Sequence, residues 1–163
     1  MERSLPDEVV LLDAGTLITL DWKYELLELC PKEPNIGIHI PKLVLAEYKP
    51  PEEKLSYLEA YSRVYLEEVR KVENYDDRVV ELFYDVWSKI GKSPERRTKN
   101  RGEAWAVALG IRLLELRLCS KVVFITSERP LSRERFMEIA EEKGCHRGQF
   151  IVEKIEYLLI LLG

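Results

Sequence analysis

A chain of 163 residues is long enough for one compact domain and short for two, so we predict a single domain over residues 1–163. Apolar residues make up 46% and charged residues 33%, a balance that excludes a disordered or collagen-like chain. The 25 Lys and Arg against 29 Asp and Glu give a net charge of -4, which excludes a uniformly basic nucleic-acid binder but allows a local basic patch.

Several sequence features predict a cytoplasmic protein. No stretch reaches the roughly 18 consecutive apolar residues of a membrane span, and the most apolar run, Tyr157–Leu162, is much shorter. The first eight residues carry three acids and lack the apolar core of a signal peptide. Three widely spaced cysteines, with no CxxC pair, indicate reduced thiols. One glutamine and three asparagines beside abundant Glu and Lys are typical of a thermophile.

Four short apolar runs predict strands that are buried on both faces. The runs are bounded by polar residues and are too short for helices. In chain order they are Val9–Leu12, Ile36–Ile40, Lys121–Thr126 and Phe150–Val152. A fifth segment, Val64–Val69, fits either a strand or a helix.

Amphipathic helical patterns lie between these strands. Apolar residues recur at spacings of three and four over Val79–Ile90, Ala104–Leu118 and the shorter Phe136–Ala140. The polar interval 91–102 predicts a loop within the domain, because the apolar pattern resumes directly after it. Buried strands that alternate with such helices predict a three-layer α/β/α sandwich on a mostly parallel sheet.

Four acidic residues lie where an open parallel sheet binds its ligands, near the carboxyl ends of strands. Asp13 and Glu128 follow predicted strands, while Glu47 and Glu103 lie in or near helices. Taken singly, each has a structural explanation as a helix cap, a charge at a helix N-terminus or a surface acid. If they converge, a pair ~4 Å apart repels by about 4 kcal/mol at an effective dielectric of 20. Such a cluster needs protonation or a cation, and all-oxygen ligands select Mg²⁺ or Mn²⁺.

The segments VVLLDAGTLITL, PKLVLAEY, RGEAWAVALG and VVFITSERPL resemble, in that order, the four signature segments of the PIN-domain family. The resemblance spans about Val9–Val152. It implies a metal-dependent ribonuclease with a five-stranded parallel sheet, as in VapC-type toxins and RNA-processing endonucleases. It also implies that Asp13, Glu47 and Glu103 are the three family acids. At the fourth acidic position, where the family usually has Asp, Ser127 is followed by Glu128.

We therefore predict a Mg²⁺- or Mn²⁺-dependent endoribonuclease. Asp13, Glu103 and Glu128 are the expected metal ligands, and Glu47 joins them in the expected catalytic set. Thr16 and Thr126, which match hydroxyl residues of the family, are expected to orient a bound water or a carboxylate. The alternative is a non-catalytic PIN-like module, with a degraded metal site, that binds RNA or a protein partner.

The resemblance to PIN domains also bears on assembly. It implies a homodimer and, for a toxin, an antitoxin protein as partner. A terminal helix over Tyr157–Leu162 can bury only one stripe against its own domain. We therefore expect this helix or the Leu55–Tyr61 region to contribute to a dimer interface, which light scattering at about tens of micromolar would detect.

A basic segment directly before Glu103 is the clearest candidate for binding phosphate. It is opposed only by Glu95, and the structural alternative is a solvated loop. Its five members are Lys92, Arg96, Arg97, Lys99 and Arg101.

We expect single-stranded RNA to bind through this basic segment. If all five side chains neutralise phosphates, log K falls with log salt at a slope of about -3.5. Replacing Arg96, Arg97 and Lys99 together by Ala should weaken binding and flatten that slope, as measured by filter binding at several salt concentrations. Unchanged affinity in the triple variant would contradict the prediction.

Overall fold

The computed structural model describes residues 8–23, 36–48, 63–90 and 101–162. The strands in these ranges are β1 (Glu8–Leu12), β2 (Ile36–His39), β3 (Lys121–Ile125) and β4 (Phe150–Glu153). The helices are α1 (Ala14–Lys23), α2 (Lys42–Glu47), α3 (Arg63–Tyr75), α4 (Asp77–Ile90), α5 (Arg101–Glu115), α6 (Pro130–Glu142) and α7 (Ile155–Leu162). All four predicted strands and all three predicted helices are present, with ends that shift by a few residues.

The four strands form one parallel sheet in the order β2-β1-β3-β4. The α/β class and the parallel pairing are therefore confirmed. The strand count differs from expectation, because the sheet of the described ranges has four strands and not five. The ambiguous segment Val64–Val69 belongs to helix α3, where Val69, Val72 and Glu73 are buried at three- and four-residue spacing. That spacing excludes a strand, whose buried residues alternate.

Helices cover both faces of this sheet, an arrangement compatible with a three-layer sandwich. Alternate residues of β1 point to opposite faces, so that Val9 and Leu11 pack in one core and Val10 and Leu12 in another. Helices α3, α4, α5 and α6 close the first core, and helices α1, α2 and α7 close the second. Burial on both faces explains why the strands are continuous apolar runs.

The N-terminal end of helix α5 corrects one prediction. We expected a loop through Gly102, but Arg101 and Gly102 already belong to α5. The rest of the predicted loop, residues 91–100, lies outside the described residues. Consequently Glu103 lies within the first described turn of a largely buried helix rather than directly behind a loop.

The apolar segment near the C-terminus forms helix α7 against the second core. Leu158 is fully buried, whereas Ile160 is 71% exposed. One stripe of this helix therefore contacts the domain and another remains at the surface. The helices in the described ranges include none that is long and apolar enough to cross a membrane. The Leu55–Tyr61 region of the predicted dimer interface lies outside these ranges.

Helix α5 approaches the sheet closely at Gly110. A Cβ added there would lie 2.6 Å from Cε2 of Phe150 and 2.9 Å from Cγ1 of Val122. Both atoms belong to packed core side chains of β3 and β4. The glycine therefore sets the distance between α5 and the sheet.

We expect Gly110→Ala to destabilise the protein. Overpacking a core costs about 1–3 kcal/mol, whereas Ala gains up to about 1 kcal/mol in helix propensity, so a net loss of about 1–2 kcal/mol in the free energy of unfolding should appear in urea denaturation. Phe150→Leu added to Gly110→Ala should recover part of this loss, because it removes the ring atom closest to the new methyl group. Equal or greater stability of Gly110→Ala would contradict the packing argument.

Candidate active site

The strand order places a crevice between the carboxyl ends of β1 and β3. The chain runs from β1 to β2 on one side, and later enters β3 on the other side, so the order switches between β1 and β3. Parallel sheets bind ligands at such a switch point. Asp13 follows β1 directly, and Thr126 follows β3 directly. Both are buried, with 3% and 1% of their surface exposed.

The carboxylate of Asp13 accepts three hydrogen bonds at this crevice. Its Oδ1 accepts the backbone N–H of Thr16 at 2.7 Å, which caps helix α1. Its Oδ2 accepts the hydroxyl of Thr126 at 2.5 Å and the backbone N–H of Ser127 at 3.3 Å. Asp13 therefore caps helix α1, which is one of the structural roles considered from the sequence. It also links α1 to the segment after β3. These donors fix the orientation of its carboxylate.

Thr16 and Thr126, the two predicted hydroxyl residues, both contact this end of the sheet. The Thr16 hydroxyl donates to the backbone oxygen of Ile125 at 3.2 Å and so ties α1 to β3. The Thr126 hydroxyl donates to Asp13 and accepts the backbone N–H of Glu128 at 3.2 Å. Thr126 thereby orients both a carboxylate and the loop that carries the fourth acid.

Glu103 is the acid whose charge is most disfavoured by its surroundings. Burial, followed by the charges of Asp13, Glu47 and Glu128, raises its pKa from 4.5 to about 7, against an opposing backbone hydrogen bond. Its Oε2 is buried and has no hydrogen-bond partner among the described residues. Because all three other acids act on this one carboxyl, the fold brings the four predicted acids together as electrostatic neighbours.

Glu47 reaches the same region from the end of helix α2. Its side chain is exposed, but its Oε1 accepts the backbone N–H of Gly102 at 3.2 Å. A Cβ added to Gly102 would lie 2.9 Å from that oxygen, so the close approach favours glycine. The contact joins α2 to α5 one residue before Glu103.

The acidic side chains at this crevice form an open donor set, which means that they do not surround one metal position. Within the described ranges, no group of three or more His, Cys, Asp or Glu side chains is placed closely enough to hold one metal ion. The four acids therefore share an electrostatic field without converging on a single point. The unpartnered Oε2 of Glu103 is nevertheless the kind of buried acceptor that a cation would satisfy.

The predicted basic segment is described only at its end. Arg101 is exposed and is the first residue of α5, two positions before Glu103. Its other members, Lys92, Arg96, Arg97 and Lys99, lie outside the described residues.

A buried polar network lies at the same end of the sheet and was not predicted from the sequence. His39, which ends β2, is 6% exposed, and its Nε2 lies 3.0 Å from Oε1 of Glu73 on helix α3. The Oε2 of Glu73 accepts the backbone N–H of Lys42 at 3.0 Å and the indole N–H of Trp105 at 2.6 Å. The sequence contains one indication of this network, because Glu73 lies on the apolar face of α3 beside Val69 and Val72, where a buried acid needs partners.

The described cysteines offer no reactive thiolate. Cys119 and Cys145 are free, and burial raises their pKa values to about 12 and about 11. Both thiols are therefore protonated at neutral pH. Cys30 lies outside the described residues.

A scan against protein-family models, a search of curated proteins and a search of solved structures give no match for this chain. The resemblance to PIN domains therefore depends on the four sequence segments.

We expect Glu103→Gln to stabilise the metal-free protein at neutral and alkaline pH. In the wild type, a carboxyl with a folded pKa of about 7 and an unfolded pKa near ~4.3 loses stability as pH rises between these values. The full shift corresponds to about 4 kcal/mol, and screening by water reduces the expected gain to about 1–3 kcal/mol above pH ~7.5.

Urea denaturation in EDTA, at several pH values from about 4 to 8, would measure this difference. Glu115→Gln is a matched control on the same helix, because Glu115 is exposed and paired with Arg112. Its stability should differ from wild type by less than about 0.5 kcal/mol at each pH. A difference between Glu103→Gln and wild type that does not grow with pH would contradict the prediction.

Proposed function

We propose that this chain is a metal-dependent endoribonuclease of the PIN type. The observation that carries the proposal is that the charges of Asp13, Glu47 and Glu128 all act on Glu103, whose buried Oε2 has no partner in the described structure. Such repulsion lowers stability, and a bound cation is the simplest agent that removes it. The position of these acids at the switch point of a parallel sheet supports a ligand site rather than a surface feature.

The residues at this site fit Mg²⁺ or Mn²⁺. Asp13, Glu103 and Glu128 would hold the metal through oxygen atoms, which these hard cations prefer. Mg²⁺ keeps several waters and often uses only one or two protein carboxylates. An open donor set is therefore suitable for it, and the longer side chain of Glu128 can act through a water.

The protein groups around the metal position have distinct tasks. When bound, a divalent ion supplies an activated water and neutralises charge on a phosphodiester. Thr16 and Thr126 hold the Asp13 carboxylate and the end of β3 in a fixed orientation. Glu47 keeps α2 against the start of α5, beside Glu103. Arg101 and the rest of the basic segment would neutralise the phosphates of RNA.

The remaining expectations from the sequence, about fold type, assembly and location, belong to the same proposal. They are the PIN-type three-layer sandwich, the homodimer, the antitoxin partner and the cytoplasmic location.

A second candidate function is a non-catalytic PIN-like module that binds RNA or a protein. The observation that favours it is the open donor set, in which no three acids of the described ranges converge on one metal position. This candidate predicts RNA binding that is independent of divalent cations.

We expect Glu103→Gln to lose metal binding and RNA cleavage while it gains metal-free stability. Calorimetric titration with Mn²⁺ and cleavage of a single-stranded RNA, with and without EDTA, would measure both activities. Asp13→Asn should also abolish cleavage, with some loss of stability because an amide group replaces an oxygen that accepts hydrogen bonds. Glu128→Gln should weaken Mn²⁺ binding less than Asp13→Asn if its contact is through water.

Glu115→Gln is again the matched control, and it should retain wild-type metal affinity and cleavage. Circular dichroism of each variant separates a lost site from a lost fold. Wild-type protein that binds no Mn²⁺ and cleaves no RNA would overturn the enzyme, and RNA binding in EDTA would then support the module.

A further inference from the structure

We infer that Glu73 is a positioning residue that fixes the distance between Glu47 and Glu103. Glu73 is 5% exposed and lies on helix α3, which carries none of the four acids. Its carboxylate contacts both α2 and α5, the two helices on which Glu47 and Glu103 lie. The inference deepens the proposed function and rests on it where metal binding is concerned.

Helix α2 depends on outside contacts for its position. It has six residues, and its N-cap residue, Pro41, makes no side-chain capping hydrogen bond. A helix this short is not stable alone. The Glu73 carboxylate takes over the capping task, because its Oε2 accepts the backbone N–H of Lys42 at 3.0 Å. Val44 is fully buried, and the leucines on either side of it also pack against the two cores.

Helix α5 is held by the same oxygen of Glu73. The indole N–H of Trp105 donates to it at 2.6 Å, and the Lys42 ammonium lies 4.8 Å from the centre of the Trp105 ring. Trp105 follows Glu103 by two residues. One carboxylate therefore joins the first turn of α2 to the first described turn of α5.

The second contact between these helices is the one that Glu47 makes. Glu47 at the end of α2 accepts the Gly102 N–H, so α2 is joined to α5 at both of its ends. If the Glu73 link is lost, the exposed Glu47 contact and the packing of Val44 and its two neighbouring leucines still restrain α2, but its first turn loses the capping contact. The first turn of α2 could then shift, and the Glu47 contact with Gly102, beside Glu103, would be less firmly held.

The charge of Glu73 is compensated within the network. Although burial opposes ionisation, the contacts with His39, Lys42 and Trp105 lower the pKa of Glu73 below 4.5. A glutamine can satisfy the same partners. Its carbonyl oxygen can accept the two N–H groups, and its amide can donate to Nε2 of a neutral His39. Glu73→Gln should therefore preserve the position of α2, whereas Glu73→Ala should not.

The experiment compares Glu73→Ala, Glu73→Gln and a matched control, Arg112→Ala. Arg112 lies on α5 and binds Asp76, between α3 and α4, at 3.0 Å. The control thus removes a second tie to α5, away from the acids. The first measurement is hydrogen exchange of the Gly102 amide by NMR, with Glu47→Ala as the reference for a lost contact. The second is Mn²⁺ affinity by calorimetry, at a temperature where all variants are folded.

We expect Glu73→Ala to lower Gly102 protection to the level of Glu47→Ala and to weaken Mn²⁺ binding by roughly tenfold or more. Glu73→Gln and Arg112→Ala should keep both near wild type, even if Arg112→Ala is as destabilised as Glu73→Ala. If Glu73→Ala does not fold, Trp105→Phe removes one contact of the network and should lower Gly102 protection.

Wild-type protection of Gly102 in Glu73→Ala, or in Trp105→Phe where that variant replaces it, would overturn the inference. An equal loss of protection in Arg112→Ala would also overturn it, because the effect would then be general destabilisation. If the wild type binds no Mn²⁺, the proposed function fails. The Gly102 measurement still decides the inference about Glu73 in that case.

Discussion

The Asp13 carboxylate is the contact on which the organisation of this site depends. It lies where the strand order switches between β1 and β3, and it accepts hydrogen bonds from α1, from Thr126 and from the loop after β3. A parallel sheet forces the ends of neighbouring strands to the same edge. A single acid after β1 can therefore both cap a helix and orient the groups that follow β3.

This arrangement places opposing demands on the neighbouring acids. Asp13 is satisfied by three donors, whereas Glu103 is half-buried, with one buried, unpartnered oxygen and a raised pKa. The charges of the other three acids raise the pKa of Glu103, so an ionised Glu103 is retained at a cost in stability. Such a cost is typical of functional sites, where groups are arranged for a ligand rather than for the free protein. Because Asp13 has its hydrogen-bond donors and Glu103 lacks one, the cost in stability falls on Glu103.

Much of the fold could be predicted from local patterns, because buried parallel strands are short apolar runs and amphipathic helices have a distinct period. Val64–Val69 shows the limit, since six residues fit both periods and the burial of Val72 and Glu73 identifies the helix. Asp13 and Glu128 could be identified as candidates because each follows a predicted strand, and parallel sheets bind ligands at the carboxyl ends of their strands. Which acid is unsatisfied could not be predicted, because two of the three donors to Asp13, the Thr126 hydroxyl and the Ser127 amide, are placed by tertiary structure.

The His39–Glu73–Trp105 network was missed for a related reason. Its members lie far apart in the sequence, and each has an ordinary local explanation as a strand end, a helical acid or a core aromatic residue. A glutamate on an apolar helix face must find partners when it is buried, and two of the three partners of Glu73 belong to the helices that carry Glu47 and Glu103. A short helix such as α2 cannot set its own position. The placement of an exposed acid at this site therefore depends on a buried acid outside it.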